Sequence, residues 1–258
     1  MSLRFTNVLG FGLLLVLLLP LIYVIWISFT PSELLQPPTG QWSLRWYQLF
    51  FTSPQWTQGL INSFWVAGMT VVGSLLTGGG VALAACRYHF RGVQLLSGAV
   101  LLPLFVPAVV LAMALLPLVH ILGLWGTQIS LAAAHSLWSM PVVFLVIRAA
   151  LATLDPDLEQ AARGLGANSI TTFRRITLPV IAPALIAGAV MAFIISLNEF
   201  VMALFLSTPA IETLPKVIWP NLRYTLTPLV AAASSVTMLL TLLGLAVATW
   251  FFANRKSE

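Results

Sequence analysis

Six apolar runs, each long enough to cross a lipid bilayer, dominate this sequence: Val8–Phe29, Leu60–Ala85, Leu95–Val119, Thr127–Ala149, Pro179–Leu206 and Leu229–Phe252. A helix needs about 20 mostly apolar residues to span the hydrocarbon core. Lipid cannot hydrogen-bond exposed peptide groups, so open strands are excluded there, and these runs are too long and unalternating for barrel strands. The expected fold class is an all-α membrane protein with six transmembrane helices, forming a single transmembrane domain over residues 1–258. Composition agrees, since 59% of residues are hydrophobic and 7% charged, against about 25% charged in soluble domains. No stretch outside the runs is long enough for a water-soluble domain, so chemistry such as nucleotide hydrolysis would have to come from another chain. The first run is too long for a signal-peptide core and lacks a small-x-small cleavage site, which reads as a retained span.

An even number of spans puts both termini on one side. With the N-terminus inside, the inner loops hold Arg4, Arg87, Arg91, Arg148, Arg163, Arg174, Arg175, Arg255 and Lys256, and the outer loops hold Arg45, Lys216 and Arg223. Basic residues accumulate on the cytoplasmic side of membrane proteins, so both termini are expected in the cytoplasm. The net charge of +5 is spread over short loops instead of forming a patch, which argues against nucleic acid as a partner. The single cysteine, Cys86, excludes an internal disulfide and any cysteine-based metal cluster. His89, His120 and His135 do not pair at ligand spacing, so no metal site is expected and the three read as packing or interfacial residues.

On the outer side, residues 30–59 carry Trp42, Trp46 and Trp56, a pattern that fits a helix lying along the membrane surface. Residues 207–228, with Trp219, suggest a second elbow of the same kind. Pro103, Pro107 and Pro117 interrupt the third run and predict a broken or short span. Gly78-Gly79-Gly80 lies inside a run and no Gly-Lys-Ser/Thr follows it, so it reads as close helix packing and not as a phosphate loop.

A charged island from Asp155 to Pro179, within the loop 150–178 and its junction with the fifth run, separates two apolar runs on the inner side. Asp155 suits an N-cap, Pro156 the first helical position, and Asp157 and Glu159 the first turn, where negative charge complements the helix dipole. Leu158, Ala161 or Ala162, and Leu165 recur at helical spacing and make a narrow apolar face. Gly164 and Gly166 are placed to end the helix. By these features alone the helix could rest on its own bundle or receive a partner.

Gln160-Ala161-Ala162, three residues, Gly166, nine residues and then Ile176-x-Leu178-Pro179 resembles the EAA motif of binding-protein-dependent ABC importer permeases in spacing throughout. Gln160 stands where the family's glutamate stands, with Glu159 immediately before it. The resemblance implies the type I importer permease fold, with the motif on a cytoplasmic coupling helix between the fourth and fifth spans. It implies an ATPase-coupling interface made by Glu159, Gln160, Ala161, Ala162, Arg163, Leu165, Gly166, Ala167, Leu178 and Pro179. The implied partners are a cytoplasmic ABC ATPase dimer, a second permease subunit (homologous or identical) and an extracytoplasmic substrate-binding protein. ATP and Mg would be held by the ATPase, no cofactor by this chain, and the location would be a bacterial or archaeal inner membrane.

Glu199 is the one acid well inside a run. A charge in the membrane costs ~2.5 kcal/mol or more and usually faces a cavity or a partner. Two roles fit: lining a translocation pathway with Ser196 and Asn198, or bonding across helices. Ser196-Leu197-Asn198-Glu199-Phe200-Val201 resembles the Ser-x-Asp-Glu-Phe-Val stretch of the spermidine/putrescine branch, with Asn198 replacing an acid, and Thr213-Leu214-Pro215 resembles that branch too. The branch handles polyamines, opines, aminoethylphosphonate and other small polar solutes, which is the substrate class implied. The alternative is a secondary carrier driven by an ion gradient, but such carriers often place several ionisable groups at mid-membrane. An intramembrane enzyme would need a paired nucleophile and base or a metal site, which the sequence does not offer, so the expected role is non-catalytic translocation.

Overall fold

In the computed structural model, residues 3–88 and 90–254 are described; His89, Arg255 and Lys256 lie outside them. The helices run α1 (Leu3–Ile27), α2 (Arg45–Thr52), α3 (Pro54–Ser74), α4 (Gly80–Arg87), α5 (Val93–Leu101), α6 (Ala108–Ile121), α7 (Gln128–Ala152), α8 (Pro156–Gly164), α9 (Ser169–Thr172), α10 (Leu178–Asn198), α11 (Val201–Leu206), α12 (Leu214–Tyr224) and α13 (Pro228–Asn254). No strand occurs among the described residues. Five rods are long and apolar enough to cross a membrane: Leu9–Ile27, Pro54–Arg87, Gln128–Ala152, Ser169–Asn198 and Pro228–Trp250. A sixth crossing exists if the bent pair Val93–Phe105 and Ala108–Ile121 counts as one span. The fold is all-α.

Prolines explain the bent pair. Pro103 sits in a 3-10 turn and Pro107 is the N-cap of α6, with Val106 before it in extended conformation (φ −101°, ψ 129°). The residue before a proline avoids the helical region, so the chain turns here, by 111°. Pro117 lies within α6 without ending it.

The chain divides into two compact units, Met1–Gly59 with Lys216–Leu242, and Leu60–Pro215 with Leu243–Glu258. In the first unit, α1 is apolar all round and exposes Leu13, Val16 and Leu17, as suits a helix in lipid. The segment after it is fastened by α2. Trp46 Nε1 donates to the Thr30 carbonyl at 2.9 Å, and Ser28 Oγ and the Tyr47 hydroxyl share a hydrogen bond of 2.6 Å. Of the three tryptophans of this segment, Trp46 and Trp56 are buried and Trp42 is exposed. The indole N–H needs a partner when buried, and the Thr30 carbonyl supplies it.

In the second unit, α7 packs along α10 and against the rod made by α3, a π turn at Leu75–Gly79 and α4. Small residues set the approach. A Cβ on Gly78 would lie 2.4 Å from the Met140 carbonyl oxygen, and one on Gly73 would lie 2.4 Å from Ser136 Oγ. Ser74 Oγ and Ser139 Oγ share a hydrogen bond of 2.6 Å across the same crossing. The glycines at this point thus serve backbone contact between spans. Replacing Gly78 by Val should cost about 1–3 kcal/mol by overpacking, because a carbonyl on a neighbouring helix cannot turn aside as a side chain can. Gly80→Ala, whose Cβ would meet nothing within 4 Å, is the control. Thermal midpoints in detergent should fall for the first variant and stay unchanged or rise for the second.

Candidate functional site

The helix of the charged island forms where expected, with Gly164 its last helical residue. Asp155 Oδ1 accepts from the Asp157 N–H at 3.0 Å, and Pro156 opens α8. At the far end, Gly166 adopts φ +88°. Its N–H donates to the Arg163 carbonyl, and that of Ala167 to the Ala162 carbonyl, both at 3.0 Å. This is a Schellman ending, which requires a left-handed residue and so favours glycine. Gly164 remains helical, so the termination expected of both glycines falls on Gly166 alone.

The two faces of α8 differ. Leu158, Gln160, Ala161, Arg163 and Leu165 point outward, Leu165 with 91% of its surface exposed. Ala162 and Glu159 point inward and are buried. Of the two alanines that could share the apolar face, Ala161 lies on the side of Leu158 and Leu165. Gly166 is exposed and Ala167 half-buried. Beyond them Asn168 caps α9, its Oδ1 accepting from Thr171 N–H at 2.8 Å. A π turn at Phe173–Thr177 then leads into α10, where Leu178 is half-buried and Pro179 exposed.

Glu159 is the residue at which the segments meet. Its Oε1 accepts from the Arg87 guanidinium and from the Thr177 hydroxyl (2.6 Å), and Arg87 Nη2 also donates to Thr177 Oγ1 at 2.6 Å. Arg163 Nη2 lies 3.6 Å from Oε2, one turn along α8, with its side chain 60% exposed. An exposed i,i+4 pair contributes little; the contact with Arg87, whose side chain is 23% exposed against 9% for Glu159, is the stronger link. A cavity of about 370 Å³ opens beside it, lined by Cys86, Tyr88, Leu154 and Ser169 among others. The motif pattern alone placed Glu159 among contact residues and missed Arg87 and Thr177. The available signal was a basic residue closing an apolar run across from the only inward-facing acid of the island.

The second candidate group does not form one cluster. Asn198 is exposed and returns its amide to the Ile194 carbonyl at 2.8 Å. Ser196 and Glu199 are buried and meet at His135. His135 Nδ1 lies 2.8 Å from Ser196 Oγ, its Nε2 lies 3.5 Å from Glu199 Oε2, and Ser196 Oγ donates to Thr70 Oγ1 at 3.3 Å. Glu199 sits one residue ahead of the N-cap of α11 and takes up that helix's free donors. Its carboxylate accepts from Val201 N–H (3.1 Å), Met202 N–H (2.8 Å) and Ala203 N–H (3.4 Å). A helix leaves its first N–H groups unpaired, and a negative group there is favourable. His135 and Thr70, which the spacing argument passed over, complete this polar centre because α3, α7 and α10 converge on it.

Glu199→Ala should therefore unpair buried donors at a cost of about 1–3 kcal/mol, lowering the thermal midpoint in detergent, with a smaller loss for Glu199→Gln, which keeps one acceptor oxygen. An unchanged midpoint accompanied by lost uptake would instead assign Glu199 to the pathway.

Comparison with known proteins places the whole arrangement. The sequence profile of the binding-protein-dependent transport system inner membrane component matches residues 76–256. The chain is 30% identical over 242 residues to the spermidine/putrescine transport system permease protein PotC of Escherichia coli, covering 94% of this chain and 91% of that protein. It is 33% identical over 200 residues, 78% of each chain, to PotC of Haemophilus influenzae. The trehalose transport system permease protein SugB of Mycobacterium tuberculosis is 29% identical over 204 residues, 77% of this chain and 74% of that one. In fold, the chain resembles a crystal structure of a bacterial ABC transporter involved in import of the acidic polysaccharide alginate, with TM-score 0.72 and 16% identity over 98% of this chain and 99% of that one. Proteins of this kind do not catalyse; a separate ATPase hydrolyses ATP. This chain belongs to the family of binding-protein-dependent transport system inner membrane components, as a permease subunit of an ABC importer.

Proposed function

We propose that α8 is the surface through which this permease is driven, and that the solute carried is small and polar, of the polyamine class. The observation that carries the first part is the outward face of α8. A nine-residue helix, capped at both ends, turns Leu158 and Leu165 to the solvent. Isolated helices this short are marginal in water, and exposing leucines brings no stability, so the arrangement makes sense with a partner over it. A cleft on each subunit of a cytoplasmic ATPase dimer, which would hold ATP and Mg, is the partner that the EAA resemblance suggests. A second permease subunit and an extracytoplasmic binding protein would complete the importer. The excess of basic residues on the side of α8 supports a cytoplasmic position for both termini.

The polyamine reading rests on relatives named for spermidine and putrescine. The trehalose permease at similar identity shows that the scaffold also serves neutral solutes. Glu199 adds little support for a cation, since its carboxylate accepts from the first free N–H groups of α11.

Leu165→Asp alters the outward face without touching Glu159, and Gly166→Trp adds bulk there while straining the left-handed end of α8. Each should reduce the ATPase retained in affinity purification of the complete importer by about tenfold or more while leaving membrane abundance unchanged. Full retention in both variants would remove α8 as the contact. Uptake of labelled putrescine, spermidine and trehalose by cells expressing the importer tests the substrate class, with the polyamines expected to enter.

A further inference from the structure

Resting on the reading of α8 as the ATPase contact, we propose that Glu159 is the positioning residue of the coupling helix, tying it at once to the end of α4 and the start of α10. Three polar groups from three segments close a triangle: Arg87 at the last position of α4, Glu159 on α8, and Thr177 at the end of the π turn before α10. Each side of the triangle is a hydrogen bond, from Arg87 to Glu159, from Thr177 to Glu159 and from Arg87 to Thr177. A single bond can pivot, whereas three mutually bonded groups hold their relative positions. Among the described residues, every side-chain hydrogen bond or ion pair from α8 to another segment runs through Glu159. Apolar anchoring on the inward face is limited to Ala162, a small side chain.

Both neighbours are long. Arg87 ends the 34-residue rod Pro54–Arg87, and Thr177 lies within the 30-residue rod Ser169–Asn198. A displacement of α8 is delivered to both through one carboxylate. The motif position at which an acid is missing, Gln160, is exposed. The charge at Glu159 faces the bundle, so the chain keeps its acid on the side where the tether needs it.

The test uses the complete importer, with ATPase, second permease subunit and binding protein, in liposomes. A cysteine reporter is placed by Asn198→Cys at the far end of α10, in a Cys86→Ala background, and its maleimide labelling rate is read with and without ATP and vanadate. In this parent, trapping should change the rate by about fivefold or more. Glu159→Gln should retain the ATPase and its hydrolysis but bring the ratio of the two rates close to one. Arg87→Met should do the same, and the double variant should be no worse than either, as expected for groups acting as a unit. Thr177→Val, which keeps the ion pair, should give a smaller loss in the same direction and serves if Glu159→Gln does not fold. An unchanged ratio in Glu159→Gln or in Thr177→Val overturns the tether, as do additive losses in the double variant. So does a parent whose labelling ignores ATP, since α10 would then receive no movement. Loss of the ATPase from Glu159→Gln also overturns it, making Glu159 a contact residue and leaving the docking of α8 intact. Retention of the ATPase by Leu165→Asp and Gly166→Trp would instead remove the docking reading.

Discussion

A lipid interior offers no hydrogen bonds, so the polar groups this chain carries into it turn to one another and to its own backbone. That constraint shapes the polar centre of the second unit. Ser136 turns its hydroxyl back to the Ala132 carbonyl at 2.7 Å, and Thr70 to that of Val66 at 2.8 Å. Glu199, whose charge would be costly in isolation, takes up the donors that the break between α10 and α11 leaves free. The break and the acid answer each other. An interrupted helix supplies unpaired N–H groups, and the carboxylate makes the interruption tolerable.

The same constraint governs how closely the spans approach. Between helices already surrounded by apolar tails, association relies on packing and on bonds between helices. Gly73, Gly78 and the Ser74–Ser139 pair bring the α3–α4 rod against α7 at backbone distance. The π turn at Leu75–Gly79 lies in the middle of that contact, and a second π turn lies at Phe173–Thr177, next to α8. Such turns are short irregularities often found at functional positions. Here one adjusts the rod that carries Arg87, and the other presents Thr177 to Glu159.

At the water-facing end, α8 is held in the opposite manner. It has little apolar anchoring and turns its leucines outward, so its position depends on the polar triangle behind it. A helix with only Ala162 and the directional bonds of Glu159 turned inward leaves its outer face open to a partner, and what moves it reaches the bundle through those bonds. The membership of the family makes this chain the permease part of an importer driven by a separate ATPase, and it removes the ion-gradient carrier as an explanation of this chain.

How far the sequence could be read depended on the range of the interactions. The apolar runs, the proline bend near Pro107, the cap at Asp155 and the spacing from Gln160 to Pro179 are set by neighbours a few residues apart, and each was legible. The burial of Trp46 was not legible because its partner, the Thr30 carbonyl, is 16 residues away. The surroundings of Glu199 were not legible because they include His135, 64 positions earlier in the chain, and a helix break that no local pattern marked. Which of Gly164 and Gly166 ends α8, and which of Ala161 and Ala162 faces out, needed the actual phase of the helix. By itself the sequence determined an all-helical membrane protein with a capped helix bearing the permease motif, because hydrophobic run length and local capping act along the chain. Only the tertiary structure decided that Glu159 binds Arg87 and Thr177 and that Glu199 closes onto a helix end, because those bonds join groups that folding alone brings together.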